Sequence, residues 1–136
     1  MTAVIDVYSR YIVGWGISNS LDASESLKVV TEAMKIHGKP DILNSDQGTQ
    51  FSCKSYVEYL KKEEIKISMD GKGRCLDNIF IERFWRTIKY QHIFLNPAID
   101  GLDLYLGIQK WLQRYHNRGH QGIELKKPAE KYILAA

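Results

Sequence analysis

Ser45-Asp46-Gln47-Gly48-Thr49-Gln50-Phe51 and Asp77-Asn78-Ile79-Phe80-Ile81-Glu82-Arg83-Phe84-Trp85-Arg86-Thr87-Ile88-Lys89 are the stretches whose reading decides this chain, with 35 positions between Asp46 and Glu82. Asp41-Ile42-Leu43-Asn44-Ser45 reads as a short strand, so Asp46 falls at its C-terminal end, just ahead of a glycine. Open α/β sheets carry functional groups at that point. An Asp beside a Gly also serves simply to shape a loop as an Asx-turn. The second stretch reads as a helix starting at Asp77. At 100° per residue, Asn78, Glu82, Arg86 and Lys89 share one stripe about 80° wide, and Ile81, Phe84, Trp85 and Ile88 form the apolar stripe beside it. Glu82 and Arg86 stand at i,i+4 and equally suit a surface ion pair.

Taken together, the two acids make a chemical argument. Phosphodiester chemistry needs charge neutralised on non-bridging oxygens and a hydroxyl activated, which two divalent ions roughly 4 Å apart accomplish. Mg²⁺ takes hard oxygen ligands from a few carboxylates. Asp46 and Glu82 are the right residue types, and Lys72, Arg74, Arg86 and Lys89 are suited to hold phosphates, with Asn78 placed to bond DNA or orient Glu82.

Outward from this interval, the pattern is that of an α/β domain. Thr2–Val7 and Tyr11–Ile17 read as strands joined by the turn Tyr8-Ser9-Arg10, a hairpin. Asp22 caps a helix with Glu25 as its capping-box partner, and Leu27, Val30, Ala33, Met34 and His37 fall on its apolar face before Gly38 and Pro40 end it. Ser52 is placed to cap a helix through Lys62, with Phe51 and Tyr56 as a hydrophobic staple. Ile65-Lys66-Ile67-Ser68 alternates as a strand does, and Asp70–Cys75 reads as a basic loop. After Asn96-Pro97, a helix from about Leu102 to Tyr115 carries Leu104, Ile108, Trp111, Leu112 and Tyr115 on one face, and a basic tail with a short turn after Pro128 completes the chain. Strands alternating with helices imply a sheet covered by helices.

Composition agrees. The chain has 136 residues, 44% hydrophobic and 26% charged, the profile of one globular domain. Residues 1–71 carry 8 Lys+Arg against 10 Asp+Glu, and residues 72–136 carry 11 against 6, so positive charge collects in the second half, a modest excess that suits a polyanion partner and also an ordinary solvated face. Cys53 and Cys75 have no CxxC spacing and read as free thiols of a reducing compartment. No apolar run approaches the roughly 18 residues of a membrane span and no signal peptide stands out, so a cytoplasmic protein is expected. His116 and His120 stand at i,i+4, but no other His or Cys pair lies near, so phosphate contacts or a polar helix end are expected there rather than zinc.

Asp46-x-Gly48-x-x-Phe51 followed by Glu82 with Arg86 and Lys89 resembles the DDE core of insertion-sequence transposases and retroviral integrases. The wording is most similar to the two-frame bacterial insertion-sequence transposases: Ile5-Asp6-x-Tyr8-Ser9-Arg10, Ser68-Met69-Asp70-Gly71-Lys72-Gly73, Asp77-Asn78-x-x-x-Glu82-Arg83-x-Trp85, and Tyr115, Asn117, Arg118, His120 with Pro128-Ala129-Glu130. The resemblance covers nearly the whole chain with its motifs in order. It implies a ribonuclease H-like mixed sheet flanked by helices, Mg²⁺ or Mn²⁺ as cofactor, transposon-end and target DNA as partners, a homo-oligomer in the full-length form, and metal-dependent phosphodiester hydrolysis followed by strand transfer.

One departure qualifies it. The family's first catalytic Asp lies in a D-x-T-like context on a central strand ahead of the segment resembling Thr2–Val7, and no D-x-T is present here. Asp6 matches a second-strand position and is not a triad member. Residues 1–136 are therefore expected to form a single partial integrase catalytic domain, N-terminally truncated and lacking the first strand, with 102–136 as its C-terminal helix and tail, inactive on its own. The alternative is a non-catalytic remnant that binds DNA or oligomerises. A glycoside hydrolase using Asp46 and Glu82 is disfavoured by the bases around Glu82 and the lack of aromatic sugar platforms near the acids.

Overall fold

The computed structural model describes residues 1–20, 22–69 and 78–135. The chain divides into two compact units: Met1–Val4 with Val13–Ile79, and Ile5–Ile12 with Phe80–Ala136.

In the first unit, β1 (Thr2–Ile5) pairs with β2 (Ile12–Gly16), the tip of this hairpin belonging to the second unit. Then follow α1 (Ala23–His37), β3 (Ile42–Ser45), α2 (Thr49–Ser52), α3 (Lys54–Lys62) and β4 (Lys66–Met69). β3 and β4 run parallel, with Ile42 opposite Lys66 and Ser45 opposite Met69. Parallel neighbours need a crossover, which α2 and α3 provide. The strands therefore pair two by two, β1 with β2 and β3 with β4, with no ladder joining the pairs among the described residues.

Burial explains the packing. Val30, Tyr56, Leu60 and Ile65 form the centre, with Val4, Leu43 and Phe51 packed against them from β1, β3 and α2. Burial pushes the Tyr56 phenol up to about 12. β2 crosses α1 so closely that a Cβ on Gly14 would stand 2.8 Å from the Ala33 Cβ, so only glycine permits this approach.

Three local expectations are corrected. Asp22 does cap α1, its side chain accepting from the Ser24 N–H at 3.0 Å. The capping box is not closed, because Glu25 pairs with Lys28 at 2.6 Å and the Asp22 N–H goes to Ser20 Oγ. Ser52 does not cap α3: it ends α2, its hydroxyl donating to the Gly48 carbonyl at 2.8 Å, and Cys53 takes the cap position. The Phe51 and Tyr56 rings still meet edge-on at 5.5 Å. His37 is exposed, because the helix ends one residue later at Gly38, with φ of 86°, and its last turn has left the core.

The second unit holds α4 (Ile79–Ile88, beginning at the unit boundary), a π-helical turn (Lys89–Ile93), α5 (Gly101–His116), a 3-10 turn (Gln121–Ile123) and α6 (Pro128–Ile133). Phe84 and Ile88 of α4 are buried, as are Ile108, Trp111, Leu112 and Tyr115 of α5. The Phe84 ring lies 5.5 Å from Tyr115, edge to face, and 6.1 Å from Trp111. Asp100 caps α5 by accepting from the Asp103 N–H at 2.8 Å.

The hairpin tip is fastened to α5 and α6. Tyr11 stacks against His116 at 3.9 Å and Tyr132 at 4.8 Å, the Ile12 N–H donates to His116 Nε2 at 3.1 Å, and Tyr115 OH donates to the Arg10 carbonyl at 3.3 Å. Asp6 is what forms the tip: its Oδ2 accepts from both the N–H and the hydroxyl of Ser9, and its carbonyl accepts from the Arg10 N–H at 2.8 Å. These bonds hold Arg10 at φ of 66°, in the left-handed region.

Candidate nucleic-acid and metal site

Asp46 stands where the strand reading put it, one residue past β3, and it is exposed. Its Oδ1 accepts the Gly48 N–H at 2.8 Å, an Asx-turn. The turn is a closed fit: a Cβ on Gly48 would lie 2.8 Å from that same Oδ1 and 3.0 Å from Gln50 Nε2. The loop-shaping and the ligand readings of Asp46 are thus compatible. One oxygen fixes the carboxylate, and the other takes no hydrogen bond from a described residue.

Asn78 is in the same unit as Asp46. Its Oδ1 accepts from Asn44 Nδ2 at 3.1 Å, which ties the turn ahead of α4 to β3 two residues before Asp46. Asn44 was not singled out in the sequence. As a polar residue in a strand next to Ser45-Asp46, it carried a signal that could have been read.

Glu82, Arg86 and Lys89 belong to the second unit and are all exposed. Glu82 and Arg86 share one helix stripe, yet Glu82 makes no ion pair with a described residue. The i,i+4 salt-bridge ladder is therefore not formed. Lys89 opens the π-helical turn, in which the Phe94 N–H reaches back to the Lys89 carbonyl at 2.9 Å. The stripe calculated at 100° per residue consequently holds for Glu82 and Arg86 and not beyond Lys89. Arg83, exposed beside Glu82, adds a base that the stripe reading passed over. Behind this helix, the Arg10 guanidinium lies 3.5 Å over the Phe80 ring. Burial lowers the Arg10 pKa, with Tyr115 and Asp6 opposing the shift and Arg83 adding to it.

Lys72 and Arg74 lie outside the described residues, as do Asp77 and Cys75. Cys53 is a free thiol. The two tail histidines are engaged in packing. His116 Nε2 accepts from the Ile12 N–H, and burial takes its pKa down to about 4, with His120 acting in the same direction. His120 Nε2 donates to the Tyr115 carbonyl at 2.9 Å. Among the described residues, no three or more His, Cys, Asp or Glu side chains gather as a metal cluster, and no helix is long and apolar enough to cross a membrane.

Residues 1–75 match a family described as Integrase core domain, and residues 63–128 match a second family of the same description. The chain belongs to the integrase core domain family. Its relatives are insertion-sequence transposases. It is 33% identical over 134 residues to the transposase for insertion sequence element IS904 of Lactococcus lactis subsp. lactis (strain IL1403), a match covering 94% of this chain and 53% of that protein. It is 29% identical over 121 residues to the putative transposase InsK for insertion sequence element IS150 of Escherichia coli (strain K12), covering 87% of this chain and 42% of that protein. It is 30% identical over 95 residues to the transposase InsF for insertion sequence IS3A of Escherichia coli (strain K12), covering 68% and 33%. The chain thus spans about half the length of these curated relatives or less.

Solved structures give this integrase core its fold. The HTLV-2 integrase catalytic core domain, in complex with magnesium and in a trimeric form, superposes with a TM-score of 0.72 at 20% identity, covering 94% of this chain and 80% of that one. A chain of the simian T-cell lymphotropic virus intasome, in complex with PP2A regulatory subunit B56 gamma, gives a TM-score of 0.79 at 14% identity, covering 96% and 46%. The ribonuclease H-like α/β class expected from the motifs is the observed one.

Proposed function

We propose that this chain acts in DNA transposition or integration, as part of the domain that cuts and joins DNA, with Asp46 and Glu82 as metal-holding acids. The observation that carries the reading is the state of Glu82: exposed, on a helix bearing Arg83 and Arg86, and without an ion pair to either. An acid kept among bases without pairing is suited to a cation brought with a polyanion. The printed names of the relatives, transposases for insertion sequences, support the same reading.

Both acids offer hard carboxylate oxygens, the donor type that Mg²⁺ and Mn²⁺ take. When bound, such an ion neutralises phosphate charge and activates a hydroxyl for attack. The protein's own part is positioning. The Gly48 N–H holds the Asp46 carboxylate, Asn44 holds Asn78, and Arg86, Lys89, Lys72 and Arg74 take up phosphates. Asp6 is given a different part, since its Oδ2 takes both the N–H and the hydroxyl of Ser9 and shapes the hairpin tip. Residues 1–136 act together within the catalytic domain, in the cytoplasm, as a homo-oligomer on transposon-end and target DNA.

A second reading, DNA binding without catalysis, draws on the absence of a three-acid cluster among the described residues. Fluorescence anisotropy with a DNA duplex end, titrated with Mg²⁺, separates the two. The first reading expects Mg²⁺ to strengthen binding, and Asp46→Asn or Glu82→Gln to remove only the Mg²⁺-dependent part. Binding indifferent to Mg²⁺ and to both substitutions favours the second reading. No DNA binding at low salt would overturn both.

A further inference from the structure

Arg10 carries three unfavourable features at once. Its backbone is held at φ of 66°, in the left-handed region that residues other than glycine rarely adopt. Its guanidinium forms no ion pair with a described residue, and Arg83 adds like charge beside it. Its Nη1 is buried and finds no hydrogen-bond acceptor among the described residues. Features of this kind persist where the surroundings over-determine them. Here they do. The Asp6 carboxylate takes both the N–H and the hydroxyl of Ser9, the Asp6 carbonyl accepts the Arg10 N–H at 2.8 Å, and the Arg10 carbonyl accepts from Tyr115 OH at 3.3 Å. What these bonds secure is one contact, the guanidinium 3.5 Å over the Phe80 ring.

Phe80 lies in the first turn of α4, and so does Glu82. The buried residues of this helix, Phe84 and Ile88, begin only in the next turn, whereas Ile79, Phe80 and Ile81 are half-buried and Glu82 is exposed. The core of the second unit thus grips α4 from Phe84 onward, and Arg10 covers the turn ahead of it. Residues two apart on a helix point to opposite sides, so Phe80 faces Arg10 while Glu82 faces away. A guanidinium laid on the Phe80 ring therefore pins this turn from behind and leaves the carboxylate untouched. A cation over a ring face is attractive, more so when desolvated, and a planar guanidinium stacks there as an ammonium does not.

We propose that Arg10 is a positioning residue for Glu82: stacked on Phe80, it fixes the first turn of α4 and so the direction of the Glu82 carboxylate. This role rests on the reading of Glu82 as a metal-holding acid, and two measurements keep the two apart. Amide hydrogen exchange, with neither DNA nor metal, reads the turn itself, because the amides of Arg83, Phe84, Trp85 and Arg86 close their helical bonds on residues 79–82. Anisotropy with a DNA duplex end, with and without Mg²⁺, reads the carboxylate.

Arg10→Met and Phe80→Leu are each expected to speed exchange of those four amides about tenfold while the amides of Leu112 and Tyr115 in α5 exchange as in the wild type. Arg10→Lys should fall between, Phe80→Tyr should keep the wild-type rate, and the double variant Arg10→Met with Phe80→Leu should be no faster than either single one. Arg10→Met and Phe80→Leu should also weaken the Mg²⁺-dependent part of DNA binding roughly tenfold and leave the Mg²⁺-independent part unchanged. Unchanged exchange in α4, or exchange that speeds equally in α4 and α5, would overturn the proposal. So would loss of the Mg²⁺-independent part with Arg10→Met, which would make Arg10 a direct phosphate contact. A wild type whose DNA binding ignores Mg²⁺ contradicts the reading of Glu82, and the exchange rates still decide whether Arg10 fixes its turn.

Discussion

The Asp46 carboxylate accepts the Gly48 N–H at 2.8 Å, and a side-chain carbon on Gly48 would occupy the space of that same oxygen. Gly48 has φ of −57°, which any residue adopts, so its role is spatial and not conformational. Gly48→Ala is therefore expected to move the carboxylate while leaving the fold intact, with a stability change under about 1 kcal/mol. Supports of this kind set ligand orientation, so Mg²⁺-dependent DNA affinity should fall roughly tenfold. Anisotropy titration and urea denaturation of the same variant separate the two effects.

The hairpin tip makes stability depend on pH. His116 must be neutral to accept the Ile12 N–H, and burial takes its pKa from the ordinary 6.5 to about 4. The His120 pKa is also lowered, again by burial, against the opposing effect of its bond to the Tyr115 carbonyl. A lowered pKa in a base means that the unfolded chain binds more protons between those two values. Stability from His116 is thus complete above pH 6.5 and is lost as pH falls toward 4. Thermal melts between pH 7 and 4 should show a declining midpoint, and His116→Gln should flatten the decline.

Phe84 joins α4 to α5 through its contacts with Trp111 and Tyr115, and it is buried. Phe84→Ala should cost about 3–5 kcal/mol, the usual loss for a buried aromatic. Chemical denaturation measures it, and loss of under about 1 kcal/mol would contradict this packing.

How far these features could be read beforehand differs by residue. The strands β3 and β4, though not their parallel pairing, α5 with its apolar face, and Asp46 at a strand end were legible because period-2 and period-3.6 patterns report burial directly. Ser52 misled because a hydroxyl before a helix suits a cap, whereas here an extra turn, Thr49–Ser52, absorbs it and moves the cap to Cys53. His37 misled because periodicity continues to the end of a helix after the core has ended. The π-helical turn at Lys89–Ile93 has no composition signal, so a 100° spacing cannot be carried past Lys89. The Asn44–Asn78 bond joins residues 34 positions apart, a pairing that no local pattern reveals.

The central claim is that Asp46 and Glu82 hold a divalent ion, and paramagnetic broadening by Mn²⁺ tests it most directly. On titration of the ¹⁵N-labelled chain, the amides flanking Asp46 and those flanking Glu82 should broaden first. Both sets should stay sharp when either Asp46→Asn or Glu82→Gln is present. Broadening that spares these amides, or that follows other exposed acids such as Glu124 and persists in both variants, would contradict the assignment.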